Sequence, residues 1–505
     1  MLAAPSSSLA DHPHVTDPTP MLVPVDPAAT LEPIIQSGEA YHAVMFEGIP
    51  DGIGLMPSDK PGGVVEVFVS HEQSEVPFAG QADFRDSSVT RLTLNATADV
   101  IGASEAIPAT AGFMRLGSAT MAGPEEGLND YVLLTSEATG DIGDVDPGAP
   151  YGPDPALASQ RQGGYAVVLD PDTALGSAPG RFQEVAAMGR HNHQNSMVVP
   201  GGWKRIAVLS GDDALNPTES QLYLYLADHQ NHLWKERGGL WAFQVTRTDE
   251  GPIDPMDPFN GANDYGDIEE GDKWQGRFIR VPTEIARGAT DQQPQAALEA
   301  WSMENNVFQF IRVEDTAYDV NHPRVVYLAD TGASRVIPDE ATGRLHRPAT
   351  VPPDSRFPAE GLYPNGRIFR IKFDPRNPRR ISSFSILLDA DAGGPYPGVN
   401  TMFSPDNLAT SEHSLLVQED SGRDIPKSRV WRYDLDATPP APAWTVVAEV
   451  PDPDWESSGV VDASAYFGPG SWLLDIQAHD VNLSPGILGR KREGGQLLLL
   501  RLPGS

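Results

Sequence analysis

Cysteine is absent from this chain of 505 residues. Disulfide bonds and thiolate-ligated metal sites are therefore excluded. The absence does not point to a compartment, because a large β-rich core needs no covalent staples to be stable. The hydrophobic fraction of 40% is sufficient to build such a core.

Basic residues are few. There are 36 lysines and arginines against 70 aspartates and glutamates, so the formal net charge is 36 − 70 = −34. This balance disfavours nucleic acids and anionic membranes as partners, since both are bound through Lys and Arg. Clustered carboxylates suit hard cations instead. The alternative interpretation is an acidic surface that only solvates the protein.

Long apolar runs are also missing, so the sequence predicts no membrane-spanning segment. The first 30 residues lack a basic region followed by an apolar stretch, as a signal peptide would have. We therefore expect residues 1–35 to be a flexible lead-in and residues 36–505 to form one domain. Any signal peptide would be absent from this chain.

A two-part unit recurs along the chain. Each copy has a polar or acidic start and, further on, an apolar strand that ends in a carboxylate or another polar residue. Such a repeat of short strands, with 48 Gly and 47 Pro to supply turns, predicts an all-β fold, a six-bladed β-propeller with loop insertions. The apolar strands are Val67–Glu72, Tyr131–Glu137, Ile206–Asp213, Val325–Asp330, Leu415–Asp420 and Trp472–His479.

One segment is strongly acidic. Residues 249–272 carry nine acids and no Lys or Arg, together with Gly, Pro and Asn. The composition predicts a loop inserted outside the blades. It is either a solvated insertion or a peripheral calcium loop or lid, although it lacks the ligand spacing of an EF-hand.

The recurring polar positions should converge, because the inner strands of a propeller line its axis. Carboxylates crowded there need a counter-charge to stay ionised, and calcium supplies it with oxygen ligands. The alternative is that some of them only accept hydrogen bonds from backbone amides at strand ends. The predicted metal ligands are Glu72, Glu137, Gln194, Glu314, Asp406, Glu419 and Glu456.

Arg312 lies two residues before Glu314, so on a strand both side chains share one face. A guanidinium beside metal-bound carboxylates would make an oxyanion site, and we predict Arg312 and Glu314 as catalytic residues. An ordinary Arg–Glu ion pair is the alternative. His191 and His193 also share a strand face and are possible metal ligands.

These motifs together resemble, in order along the chain, those of the PhoX-type alkaline phosphatase family of β-propellers. The matching segments are Ser70-His71-Glu72, Leu134-Thr135-Ser136-Glu137, Gly189–Gln194, Arg312-Val313-Glu314 and Ser404–Leu408.

The resemblance implies a secreted or periplasmic phosphomonoesterase with a calcium and iron cluster, in which the Arg of Arg-x-Glu holds phosphate. Two positions depart from the family pattern. Ser136 stands where the family has an iron-bridging Cys, and Gln194 stands where it has Glu. Serine is a much poorer iron bridge than a thiolate, so we expect calcium but no di-iron centre.

The sequence thus predicts a secreted, calcium-binding propeller that hydrolyses phosphate monoesters of small molecules, with Arg312 holding the phosphoryl oxygens. Two alternatives stay open. One is a non-catalytic propeller, closed by calcium, that serves as a surface or assembly protein. The other is a calcium-dependent lactonase or phytase-like esterase.

Overall fold

The computed structural model describes residues 16–76, 84–140, 162–173, 181–214, 220–289, 293–332, 336–338, 344–346, 364–393, 401–420, 427–437, 443–485 and 491–505. The fold is all-β, with its sheets in a propeller-like arrangement. The helices are short: α1 (Asn231–Trp234), α2 (Thr283–Ala286), α3 (Pro294–Glu304) and α4 (Ser464–Phe467).

The N-terminal half supplies two separate four-stranded sheets, each built in sequence order. Four short strands at the beginning of the chain precede these two sheets and do not belong to them; the third and fourth pair with each other. These short strands are β1 (Val23–Pro24), β2 (Thr30–Gln36), β3 (Ala40–Tyr41) and β4 (Val44–Met45). The first sheet contains β5 (Pro50–Pro57), β6 (Val65–His71), β7 (Ser88–Leu94) and β8 (Val100–Ile107). The second contains β9 (Leu116–Ala122), β10 (Val132–Glu137), β11 (Ala166–Asp170) and β12 (Arg181–Glu184).

The middle of the chain forms one ten-stranded sheet. Its strands are β13 (His193–Val198), β14 (Ile206–Asp212), β15 (Leu222–Ala227), β16 (Gly239–Thr248), β17 (Gly251–Pro252), β18 (Trp274–Arg280), β19 (Val313–Asp319), β20 (His322–Asp330), β23 (Arg367–Asp374) and β24 (Asn377–Asp389); the hairpin β21 (Ile337–Pro338) and β22 (Leu345–His346) stands apart from it.

The C-terminal part supplies two further sheets, and the beginning of the chain completes both. One contains β25 (Pro405–Thr410), β26 (Ser414–Glu419), β27 (Arg429–Asp434) and β28 (Trp444–Glu449), with β1 at its edge. The other contains β29 (Trp455–Asp462), β30 (Ser471–Pro485) and β31 (Lys491–Arg501), with β2 at its edge.

The pairing of β1 and β2 corrects the prediction of a flexible lead-in over residues 1–35. From Val23 onward this segment belongs to the sheets, because Ile34 and Ile35 are buried and β2 covers the otherwise free edge of β31. The short strand β1 pairs with β28 in the same way. Residues 1–15 lie outside the described residues.

The prediction of six blades is confirmed only in its coarser form, an all-β propeller-like fold. Four sheets are separate, but the ten-stranded sheet runs β13-β14-β15-β16-β18-β24-β23-β20-β19. The reason is β18, which pairs with β16 on one side and with β24 on the other. Because β18 occupies the edges of both β16 and β24, two neighbouring blades are joined into one sheet.

The packing of β6 explains the radial arrangement. Its residues alternate between two cores, as the two faces of a strand require. Val67 and Val69 pack with Leu473 of the last sheet, whereas Phe68 packs with Leu133 of the next sheet. Since a neighbouring sheet covers each face, the sheets stack around an axis.

The first strands of the successive units lie along that axis and contact one another in a closed ring, in the order β5, β9, β13, β19, β25, β29 and back to β5. The beginning of each of these inner strands therefore lies near the beginnings of the others.

The acidic segment 249–272 connects β16 to β18. It is not a wholly solvated loop, because Tyr265 and Ile268 are completely buried and the Tyr265 hydroxyl donates a hydrogen bond of 2.9 Å to Asp391. Among the described residues, no helix is both long and apolar enough to cross a bilayer.

Candidate functional site

Five inner strands begin in the same register with the strand that follows them in the sheet. The first residue of each pairs with the last residue of that partner strand, and all five pairings then have a bulge at the same place. A bulge re-aims the side chains that follow it. The pairs are Pro50 with His71, Leu116 with Glu137, His193 with Asp212, Val313 with Asp330, and Pro405 with Glu419.

The second residues of these five inner strands therefore occupy equivalent positions. Four of the five carry a carboxylate or an amide side chain. Glu456, the second residue of β29, adds a carboxylate from the sixth inner strand. Its strand has a different register, because Trp455 pairs with Ala478 and not with the last residue of β30, but Glu456 lies near Asp420, Asp406 and Glu72. The partner strands add a second set, one residue beyond their ends. The first set is Asp51, Gly117, Gln194, Glu314 and Asp406; the second set includes Glu72, Asp213 and Asp420.

Arg312 connects these sets. Its Nε and one terminal nitrogen donate to the two carboxylate oxygens of Asp213 at 2.7 and 3.0 Å. The guanidinium also lies 2.5 Å from Glu314 Oε1 and 3.7 Å from Asp420 Oδ2. The largely buried guanidinium of Arg312 is therefore shared by three carboxylates. Glu314 belongs to β19, whereas Asp213 and Asp420 directly follow β14 and β26.

Negative charge exceeds positive charge at this place, which we call the axial cluster: Arg312 with Asp51, Glu72, Asp213, Glu314, Asp406, Asp420 and Glu456. Burial raises the pKa of Glu314 well above its usual range, and Asp213 adds to the rise while Arg312 opposes it. The pKa of Glu456 is raised by burial and by Asp420. Burial likewise raises the pKa of Asp406, with Asp420 contributing.

Amides and hydroxyls support the axial cluster. The Ser458 hydroxyl donates to Asp51 Oδ1 at 2.6 Å and lies 3.1 Å from Asn407 Oδ1. Asp315 accepts hydrogen bonds from the Leu408 backbone N–H at 2.8 Å and from the Asn195 side-chain amide. These contacts tie five inner strands together, so the positions of the carboxylates are set by side chains of neighbouring sheets.

Of the predicted ligands, Gln194 lies beside the axial cluster, whereas Glu137 and Glu419 lie away from it. Glu137 accepts hydrogen bonds from the backbone N–H groups of Met114 and Tyr165, at 3.0 and 3.1 Å. Glu419 accepts from the Phe403 N–H at 2.9 Å and forms an ion pair of 2.8 Å with Arg429. Both occupy last positions of partner strands, and the alternative interpretation, bonding of backbone amides at strand ends, fits them.

The rings of His191 and His193 are tilted by 32° to each other with centroids 3.5 Å apart, and both residues are completely buried. His193 has both ring nitrogens engaged, one with the Ser210 hydroxyl at 2.8 Å and one with the Gly189 carbonyl at 3.2 Å. His191 Nδ1 lies 3.8 Å from Asp212. Burial lowers the pKa of His193 to about 3, so its ring is neutral, but in this arrangement it has no nitrogen left for a metal.

Ser136, the position at which the family pattern has Cys, is completely buried in β10. Its hydroxyl donates to the Ser196 hydroxyl at 3.2 Å, and Ser196 in turn donates to Ser210 at 3.3 Å. The side chain thus belongs to a chain of hydroxyls that leads to His193. A hydroxyl bonded in this way offers no anionic bridge between metal ions.

The oxygen atoms of the axial cluster and of the neighbouring Gln194 fit a hard cation. Glu314 Oε2, Asp406 Oδ1 and Gln194 Oε1 are buried oxygens without a hydrogen-bond partner. Unpaired buried oxygens are costly, and a cation that accepts oxygen ligands would satisfy them. A separate group of three carboxylates, Asp452, Asp454 and Asp480, is largely exposed, and exposed acidic groups need no ion.

Sequence reasoning missed three members of the axial cluster: Asp51, Asp213 and Asp420. The signal was available for the last two, because each directly follows a carboxylate at the end of an apolar strand. The residues of a strand alternate between its faces, so the second carboxylate and not the first reaches the axis. Asp51 resembles Asp406 in following a proline at the beginning of an inner strand.

A cavity of about 360 Å³ continues along the axis from the axial cluster. Gln194, Glu314 and Asp315 line its inner end, and Tyr318 and Asp462 line the end at which the inner strands finish.

No protein-family model and no curated protein sequence matches the chain. Among solved structures, the chain is similar to Pseudomonas fluorescens PhoX in complex with vanadate, a transition-state analogue, with 15% identity, 97% coverage of both chains and a TM-score of 0.58. This likeness shows that the fold is PhoX-like. Kuenenia stuttgartiensis hydrazine synthase aligns over 86% of this chain and 95% of its own, at 9% identity and a TM-score of 0.33.

Proposed function

We propose that this chain is a metal-dependent hydrolase of phosphate monoesters, with calcium in the axial cluster. The observation that carries the proposal is the placement of Arg312, a buried guanidinium held between Asp213, Glu314 and Asp420 where the inner strands begin. The PhoX-like fold supports it, because that neighbour was solved with a transition-state analogue, vanadate.

The axial cluster offers seven carboxylates against one guanidinium, and burial raises the pKa of several of them. Such groups either take up protons or bind cations. Glu314, Asp406 and Glu456 are the proposed ligands that come from inner strands, with Asp213, Asp420 and Glu72 added from the partner strands. Bound divalent cations would supply positive charge to the phosphoryl oxygens and make water a better nucleophile.

Arg312 would orient the substrate. Its planar fork can contact two phosphoryl oxygens at once, and Asp213 and Glu314 hold the guanidinium in place. Glu314 would have two roles, since Oε1 contacts Arg312 while Oε2 has no hydrogen-bond partner. Small phosphorylated molecules are the proposed substrates, and the proposed location is outside the cytoplasm, as in the PhoX-type family.

We also propose that the propeller has six blades. On this view the ten-stranded sheet is two blades joined through β18. One contains β13–β16, and the other contains β19, β20, β23 and β24. The closed ring of six inner strands supports this count, because each blade of a propeller contributes one strand to the axis. The blade count sets how many inner strands, and so how many strand-end carboxylates, converge at the axis.

A non-catalytic calcium-stabilised propeller is the second candidate. The observation that favours it is that Arg312 already contacts three carboxylates, so its donors are engaged within the protein. The Ser136 hydroxyl, bonded to Ser196, points the same way, because the thiolate of the family pattern is missing.

The deciding experiment is elemental analysis of the purified protein together with a chromogenic aryl phosphate assay, with calcium and with a chelator. Calcium-dependent turnover of the phosphate ester supports the hydrolase. A calcium-dependent melting temperature without turnover, even with calcium and iron supplied, supports the non-catalytic propeller. A lactone substrate in a parallel assay tests the third interpretation, and turnover of the lactone alone would contradict the phosphatase proposal.

A further inference from the structure

The cavity below the axial cluster has a chemical character of its own. It has a volume of about 360 Å³, within the usual range of small-molecule sites. Five of the residues that line it are acidic and none is Lys, Arg or His, so an anion is disfavoured there. The five acids are Glu125, Glu126, Glu314, Asp315 and Asp462.

Its outer end combines these acids with aromatic rings. Tyr131, Tyr318 and Tyr466 all line the cavity and all are partly exposed. The Tyr318 hydroxyl donates a hydrogen bond of 2.6 Å to Glu126 Oε1, which fixes the ring beside a carboxylate. A cation above an aromatic face is attracted by the quadrupole of the ring, whose face is negative, and a nearby carboxylate adds to that attraction.

Its inner end contains hydroxyls that lack partners. Ser118 Oγ and Thr316 Oγ1 are buried atoms without a hydrogen-bond partner, and their residues are only 6% and 3% exposed. Both residues line the cavity, as does Gln194, whose Oε1 is likewise unpartnered. Because unsatisfied buried polar atoms are costly, this end is suited to a polar group of a ligand.

We infer that this cavity binds a small organic cation, with its ammonium group near the three tyrosines and its polar end at Ser118 and Thr316. Apolar side chains of Leu55, Met197 and Val461 also line the walls, and these would contact methyl or methylene groups. An inorganic ion gains little from such walls or from aromatic rings. The cavity shares Glu314 with the axial cluster, but the three tyrosines, Ser118 and Thr316 belong to the cavity alone, so the inference does not rest on the proposed phosphatase activity.

The test is isothermal titration calorimetry with choline and with 3,3-dimethyl-1-butanol, its uncharged analogue of the same shape, at constant ionic strength and saturating calcium. We expect one choline per chain and at least tenfold weaker binding of the alcohol. Equal binding of the two would overturn the inference. Loss of choline binding as calcium is raised from zero to saturation would instead identify an inorganic cation site and overturn it too.

Variants locate the site. Tyr131→Ala should weaken choline binding about tenfold, whereas Tyr131→Phe, which keeps the ring, should leave it almost unchanged. Glu126→Gln should weaken it as well, by removing one charge. Tyr433→Ala is the matched control, because Tyr433 is a partly buried tyrosine that packs on Trp444 and does not line the cavity. Choline binding unaffected by Tyr131→Ala and Glu126→Gln would refute the assignment.

Discussion

Glu419 and Asp420 are consecutive residues at the end of β26, and their carboxylates lie in different environments. Glu419 accepts hydrogen bonds from the Phe403 and Arg429 backbone N–H groups and from the Trp431 indole, all within its own part of the fold. Asp420 lies 3.7 Å from the guanidinium of Arg312, which belongs to another sheet. Glu419 is therefore a structural carboxylate, whereas Asp420, one position later, belongs to the axial cluster.

This relationship predicts opposite behaviour of two neutralising substitutions. Asp420→Asn should weaken calcium binding roughly tenfold, because it removes a charge from the axial cluster, and the rise of the melting temperature on adding calcium should shrink accordingly. Glu419→Gln should lower the free energy of unfolding by about 1.5–3 kcal/mol, the usual cost of losing hydrogen bonds to a buried charge. In Glu419→Gln, the rise of the melting temperature on adding calcium should be unchanged.

Thermal unfolding of both variants, with calcium and with a chelator, makes the comparison. Glu137→Gln is a second control, because Glu137 also accepts bonds from backbone N–H groups at a strand end. A calcium response that is lost in Glu419→Gln and kept in Asp420→Asn would show that the axial cluster has been assigned to the wrong carboxylates.

The strands themselves were predictable. Runs such as those in β6 and β10 are apolar and rich in β-branched residues or leucine, and both strands are completely buried. The convergence of polar strand beginnings also followed from the repeat. Both features are local, and a sequence records local pattern directly.

The site could be predicted only in part, because register decides which residue of a strand faces the axis. Glu137 and Glu419 lie one position before the residues that reach it, and a shift of one residue reverses the face. The joining of two units by β18 was not predictable either, because β18 pairs with β24, a strand far away in the sequence, and local sequence pattern does not record such pairings. For the same reason β2 was predicted as part of a flexible lead-in.

Iron content is a second prediction, and it is negative. Ser136 is bonded to Ser196 and supplies no thiolate, so we expect the purified protein to contain no stoichiometric di-iron and to show no intense thiolate-to-iron absorption. Elemental analysis and visible spectroscopy of protein grown with added iron would check this. Two irons per chain would contradict it.

Asp86 predicts a pH dependence of stability away from the axial cluster. Burial raises the pKa of this carboxyl from 3.8 to about 8, although the Glu75 N–H donates to it at 2.9 Å. A raised folded-state pKa means that the folded protein is increasingly penalised as pH rises between these values. Asp86→Asn removes the penalty, so at pH 9 the variant should be more stable than the wild type by about 1–3 kcal/mol.

The control for this prediction has the opposite sign. Hydrogen bonds from Thr97 and Asn95 lower the pKa of the Asp99 carboxyl, so its stabilising effect is present above its ordinary pKa and lost as pH falls. Asp99→Asn should therefore reduce stability at pH 8. Denaturant unfolding of both variants from pH 4 to pH 9 checks the signs, and an Asp86→Asn advantage that shrinks as pH rises would disprove the assignment.

Arg312→Lys tests the proposed catalytic role. Lysine keeps the positive charge among Asp213, Glu314 and Asp420 but replaces a planar fork by a point charge. Losing one preorganised donor to a developing oxyanion usually costs about 10²–10³ in turnover, so phosphate ester hydrolysis should fall by that factor. The calcium-dependent rise of the melting temperature should stay nearly the same, because the charge is conserved.

Arg367→Lys is the matched control. Arg367 is also buried, and it pairs with two carboxylates, Asp389 and Asp391, each at 3.2 Å. Any general cost of replacing a buried, doubly paired arginine should therefore appear in this variant, whereas turnover should stay close to that of the wild type. Equal loss of activity in both variants would mean that Arg312 acts only through the fold, and full activity in Arg312→Lys would place the phosphate site elsewhere.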